Sequence, residues 1–255
     1  MTPQKGIYMS FSNFVSKSIV ALSLLSLVAC GGGGGSTSTG GVYFSHSDLA
    51  SEFVYRAYTD AGVNLALVKT DTLQNGYIVV DNNGTYEAYY IDGWSVGTDI
   101  SNYVNSGAAN IFSGLDYIGG NQYQDPYSGI VFEETSANSK DLEKLSALKE
   151  EFNVKASAEH IQSVFGLSVE RSREVARLAV QLKNTPKSSM TDADYDNFSK
   201  ELIGSSITDV KAALQKQTQG DSTDLNSLID KAATANGVGP EHMNKIITGL
   251  FQVSK

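Results

Sequence analysis

The chain has 255 residues, 19 of them basic and 28 acidic, for a formal net charge of −9 at pH 7. That length suffices for one or two domains with real cores. The acidity argues against nucleic acid as a partner, because a polyanion would be repelled.

Lys5 and Lys17 are the only charges before Asp48, and both are positive. Ile19 to Val28 is an apolar run interrupted only by Ser23 and Ser26. It is too short to cross a bilayer core of about 30 Å as a permanent helix, and it has the length of a segment read for export and then removed. Leu27-Val28-Ala29-Cys30 closes it. These four residues resemble the lipobox of bacterial lipoproteins, in which a branched apolar residue, a small residue and a cysteine follow the apolar run.

The resemblance covers only the first 30 residues. It implies that 1–29 is a signal peptide, that Cys30 receives the lipid, and that the membrane is a partner through that anchor. Met9 offers an alternative start that shortens the signal. Gly31, where lipoproteins of the inner membrane often have Asp, resembles outer-membrane sorting. Two or three acyl chains give durable attachment, each buried methylene contributing about 0.8 kcal/mol. Cys30 is the only cysteine, so a lipidated Cys30 leaves no disulfide and no thiol nucleophile.

Gly31 to Gly41 is Gly, Ser and Thr throughout, a flexible spacer with a reach of roughly 18 Å. Beyond this 30–41 linker the composition changes near residue 135. Residues 42–135 hold 11 of the 13 tyrosines and the single Trp94, with 2 basic and 12 acidic residues. Residues 136–255 hold 15 basic and 16 acidic residues. The contrast predicts an acidic, tyrosine-rich unit over 42–135 and a second unit over 136–255.

The expected fold class is α+β, a small antiparallel sheet with a helix followed by a multi-helix bundle. Ser47 to Asp60 has helical spacing at Leu49, Phe53, Val54 and Ala57, with Gly62 as its closing cap. Val63–Lys69, Tyr77–Val80 and Thr85–Ile91 have strand chemistry. Asp81-Asn82-Asn83-Gly84 predicts a hairpin turn and Asn75-Gly76 another. Residues 92–129 read as long loops with a short helix at Ile100–Val104, and Gly129–Phe132 as a fourth strand. In the second unit, stripes such as Val175, Leu178, Ala179 and Leu182 predict six or seven helices. Leu142, Leu145 and Phe152 make one further stripe, and Ile161, Val164 and Phe165 another. Met243, Ile246, Ile247 and Leu250, with Phe251, mark the last helix. Ser168, Thr191, Ser206 and Asp221 stand as starts, and Gly204, Gly220 and Gly237 as stops.

The chemistry-bearing motifs mostly resolve into ordinary structure. Thr191 to Asn197 resembles the start of a calcium loop, but Asn197 and Ile203 stand where such loops need Gly and Glu. A capped helix with acids in its first turn fits better. Ser146-Ala147-Leu148-Lys149 lacks the companion motif of penicillin-binding enzymes, and Gly220-Asp221-Ser222 falls between helices. His46, His160 and His242 show no metal-ligand spacing. The reading therefore expects no cofactor, no metal and no assigned catalytic residue.

Trp94, Tyr117, Tyr123 and Tyr127 lie among Asn, Gln, Asp and Gly, a setting suited to recognising an envelope glycan or protein. Tyr86 and Tyr90 fit simple packing across a sheet face. The leading expectation is a non-enzymatic binding or interaction protein tethered to the envelope. One alternative is a glycan hydrolase using loop carboxylates such as Asp92, Asp99, Asp116 and Asp125. Another is a structural scaffold component.

Overall fold

Strand alternation and turn chemistry build the first half of the molecule. The computed structural model describes residues 45–73 and 76–250. The proposed signal, Cys30, the linker, Asn75 and Phe251 lie outside the described residues, as do the side chains of Leu49 and Leu250. Strands β2 (Tyr77–Asn82) and β3 (Thr85–Tyr90) meet at Asn83-Gly84, with φ of 53° and 85°. Asp81 Oδ1 accepts the Gly84 amide at 2.8 Å, so the Asn-Asn-Gly turn is the hairpin its sequence predicts.

Four more strands complete the sheet: β1 (Val63–Lys69), β4 (Ile111–Gly119), β5 (Gln122–Gln124) and β6 (Val131–Glu134). Each pairs antiparallel with the next, and β1 pairs back onto β6 through Val68↔Glu134 and Lys69↔Glu133. The small sheet is thus a closed six-stranded barrel, which corrects the open sheet expected from sequence. β4 and β5 also occupy residues expected to be loops. Gly114, at φ +72°, adds a residue between Ser113↔Glu87 and Leu115↔Tyr86. That bulge breaks the alternation by which a strand is recognised.

Closure gives every strand an inward and an outward face. The inward set is one buried cluster of Val68, Tyr77, Val79, Ala88, Leu115, Tyr123 and Phe132, with Tyr86, Tyr90 and Phe112 against it. Rings fill the lumen, Tyr77–Phe132 at 5.4 Å and Phe112–Phe132 at 5.3 Å between centroids. The outward set on β1 to β3, including Val63, Leu67, Ile78, Val80 and Tyr89, packs with Ile91, Trp94, Ile100 and Leu148.

Helix α1 (His46–Ala57) starts in a Ser45/Asp48 capping box and ends at Tyr58, whose amide bonds Val54 O. The helix stops short of Gly62, which instead closes a turn by donating to Asp60 Oδ1. Phe53 and Ala57 do not lie on the barrel. They enter the helical core, with the Phe53 and Phe198 rings 4.4 Å apart. The helices on the barrel are α2 (Ile100–Asn105) and the first half of α3 (Ser139–Phe165).

α3 is one continuous helix where two stripes predict two, and it leaves Leu142 and Val164 exposed. It is followed by α4 (Val169–Asn184), α5 (Asp192–Ile203), α6 (Ile207–Thr218), α7 (Thr223–Asn236) and α8 (Pro240–Leu250). Ser168, Thr191 and Ser206 cap their helices as expected. At α7 the cap is Ser222, with Asp221 accepting from the Thr223 amide. Gly204 and Gly237 end α5 and α7 in the left-handed conformation. The described residues belong to one compact unit.

Candidate functional site

The four aromatic residues singled out from sequence take three different positions. Trp94 is 3% exposed and its indole N–H donates to Thr98 O at 2.9 Å, so its ring face is buried in the core outside the barrel. Tyr117 and Tyr123 do come together, with centroids 5.4 Å apart, and Tyr86 joins them. Tyr123 points inward and donates its hydroxyl to Glu134 Oε1 at 2.8 Å. Burial first, and the Glu134 carboxylate second, push the Tyr123 phenol above its ordinary pKa. Tyr117 keeps about half its surface exposed at the rim of this cluster.

Tyr127 stands apart at the tip of the β5–β6 loop, 92% exposed. The loop beneath it is ordered by Asp125, which accepts from the Ser128 hydroxyl, from the Ser128 amide at 2.9 Å and from the Tyr127 amide at 3.4 Å. The Ser128 hydroxyl, then the two amides, hold the Asp125 carboxyl below its ordinary pKa.

The other acids of that stretch are likewise held locally. Asp92 accepts from Tyr90 OH at 3.4 Å. Asp116 is exposed on β4 opposite Gln124, one residue from Asp125, but the Asp125 carboxylate is taken up by its own loop. Asp99 caps α2 and lies 2.5 Å from Arg173 Nη2. That nitrogen makes no directional hydrogen bond, so charge holds the pair. Arg173 also approaches buried Glu151, which Arg177 grips through both oxygens at 2.6 and 3.1 Å. These charges bind α2, α3 and α4 together beside the barrel.

The histidines serve as ties. His46 reaches Thr208 at 3.3 Å and Asp196 at 3.4 Å, His160 meets Arg56 O at 3.1 Å, and His242 meets Phe165 O. Among the described residues no group of three or more His, Cys, Asp or Glu is placed to hold a metal. The calcium-like stretch is the capped start of α5, with the Thr191 hydroxyl and the Asp194 carboxylate bonding reciprocally.

A wide groove lies elsewhere, on the helices. α4 ends at Asn184 because Pro186 forces Thr185 into an extended conformation (φ −83°, ψ 125°). A 3-10 turn at Lys187–Ser189 then carries the chain out before α5 begins. The detour leaves a groove of about 460 Å³. α1 supplies Val54, Tyr55 and Tyr58, α4 supplies Leu182 and Lys183, and Lys187, Met190 and Tyr195 close the far side. Leu182 and Met190 are part of the helical core's outer layer.

Lys183 Nζ sits 5.8 Å from the Tyr58 ring centroid. Burial, and then nearby Asp60, push the Tyr58 phenol upward. A neighbouring cavity of about 340 Å³ shares Leu182, Thr185 and Met190 and adds Asp194 and Glu201. The void deeper in the helical core, about 20 Å³, has room for a water at most.

Sequence reasoning missed this groove. The available signals were Pro186 interrupting a helical stretch and Tyr55 lying off the Phe53–Ala57 stripe. No family model, curated protein or solved structure matches the chain.

Proposed function

We propose that this is a non-enzymatic binding protein of the cell envelope, held at the membrane, in the outer membrane by the Gly31 resemblance, through lipid on Cys30. Its ligand site is the groove between α1, α4 and α5. The observation that carries the reading is the groove itself. Its volume of about 460 Å³ falls in the range of roughly 300–1,000 Å³ typical of small-molecule sites. Its walls combine aliphatic, aromatic and a few polar groups, the mixture such sites use. The hydrolase alternative draws less support, because Asp99 and Asp125 are committed to capping and loop bonds. Tyr127, exposed on a braced loop, supports a second contact with an envelope protein or glycan.

The test uses the full chain carrying Cys30→Ser, so that no acyl chains compete, and N-phenyl-1-naphthylamine as a neutral apolar fluorophore. Saturable binding is expected, and Ser51→Trp and Met190→Trp, which fill the groove from opposite walls, should each abolish it. Unaltered binding in both filled variants, with helicity intact by circular dichroism, sinks the reading.

A further inference from the structure

The groove has a polarity that restricts what enters it. Lys183 on α4 and Lys187 on the turn after it both line the cavity, and among the described residues neither belongs to an ion pair. Both lysines are exposed, and together they place two positive charges on one cavity. The same cavity carries Val54, Leu182 and Met190, an apolar floor continuous with the core. Tyr195 is 6% exposed, lines the same cavity, and its hydroxyl makes no hydrogen bond within the described chain. A hydroxyl that opens onto the cavity can bond a ligand or water there.

Resting on the groove reading above, we infer that the occupant is a single-chain amphiphile with an anionic head. Its apolar chain lies on Val54, Leu182 and Met190. Its carboxylate or phosphate sits between Lys183 and Lys187, with Tyr195 available as a donor. The carboxylates facing this region are Asp60 near Tyr58, and Asp194 and Glu201 in the adjoining cavity. A cationic amphiphile has those acids to choose, so it is the informative competitor.

Dodecanoate, dodecyl phosphate, dodecanol and dodecylamine, all below their micellar concentrations, compete against the neutral fluorophore on the full Cys30→Ser chain. Both anions should displace it at concentrations about tenfold lower than the alcohol or amine, a difference of about 1.4 kcal/mol. Which anion is stronger identifies the head as carboxylate or phosphate. Lys183→Glu with Lys187→Glu should erase the anion preference while leaving fluorophore binding in place.

Equal competition by all four, or preference for the amine, overturns the anionic head while leaving the groove as a site. So does an anion preference that survives the double reversal. Loss of fluorophore binding in the double variant, with wild-type helicity, also overturns it, since the lysines then shape the floor. Fluorophore binding untouched by both filled variants removes the groove reading, and this inference with it.

Discussion

Tyr127 is a large side chain held almost wholly in water, and Asp125 explains how its loop keeps one shape. A carboxylate accepting the Ser128 hydroxyl and two successive amides does locally what an Asx-turn does in general. Asp125→Ala should remove that support, and hydrogen exchange at the Ser128 amide should quicken severalfold at pH 7. The pH dependence follows from the sign of the shift. The carboxyl titrates below its ordinary value when folded, so its contribution is complete above the ordinary carboxylate range. It disappears as pH falls through the lowered folded value. Wild type and variant should therefore converge in acid, and equal protection at pH 7 would contradict the bracing role. Trp94 teaches the opposite lesson about aromatic residues. Asp92, Gly93 and Ser95 surround it in sequence, yet it is interior, because Ile100 on α2 and Leu148 on α3 join Ile91 in the cluster that covers it.

At the scale of elements, α3 joins the two halves. Its first turns place Leu148 on the barrel, while Val154, Ala158 and Ile161 enter the helical core. Leu148 is fully buried, so Leu148→Ala should cost about 2–5 kcal/mol in urea unfolding. Because one helix serves both cores, Trp94 fluorescence and far-ultraviolet dichroism should still report a single coincident transition. Two separated transitions would show the halves unfolding independently. Glu151→Gln removes the charge that Arg177 grips and Arg173 approaches, and a loss of about 1–3 kcal/mol is expected. An unchanged urea midpoint would refute the network's role.

Local signals were legible in the sequence and partners were not. Asn83-Gly84, the Thr191 cap and the Gly204 stop each act within a few residues, and each was readable. The α1 stripe announced a buried face but carried no information on whether sheet or helix would cover it. β4 was hidden by Gly114, and barrel closure depends on β1 meeting β6, which no periodicity encodes. The groove arises where the detour after Pro186 separates the end of α4 from the start of α5 beside α1, and a gap between segments leaves no pattern along the chain.

For the whole molecule, the proposed anchor and the folded part make separable claims. Cys30→Ser should abolish incorporation of radiolabelled palmitate and move the protein from the membrane to the soluble fraction, since attachment rests on the acyl chains. Retention of both label and membrane association would refute lipidation at Cys30. The folded part should keep its dichroism spectrum in that variant.

The seam of the barrel has a consequence for timing. Val68↔Glu134 and Lys69↔Glu133 join the first strand to the last, so the seam closes only after every intervening strand has been synthesised. Until then β1 offers unpaired backbone groups along one edge, the kind of surface that recruits other chains into aggregates. Such sequence-distant pairing also slows folding. α3 begins directly after β6 and covers the outer face of β1, so the missing partner and the cover reach β1 in quick succession. The strand made first waits longest.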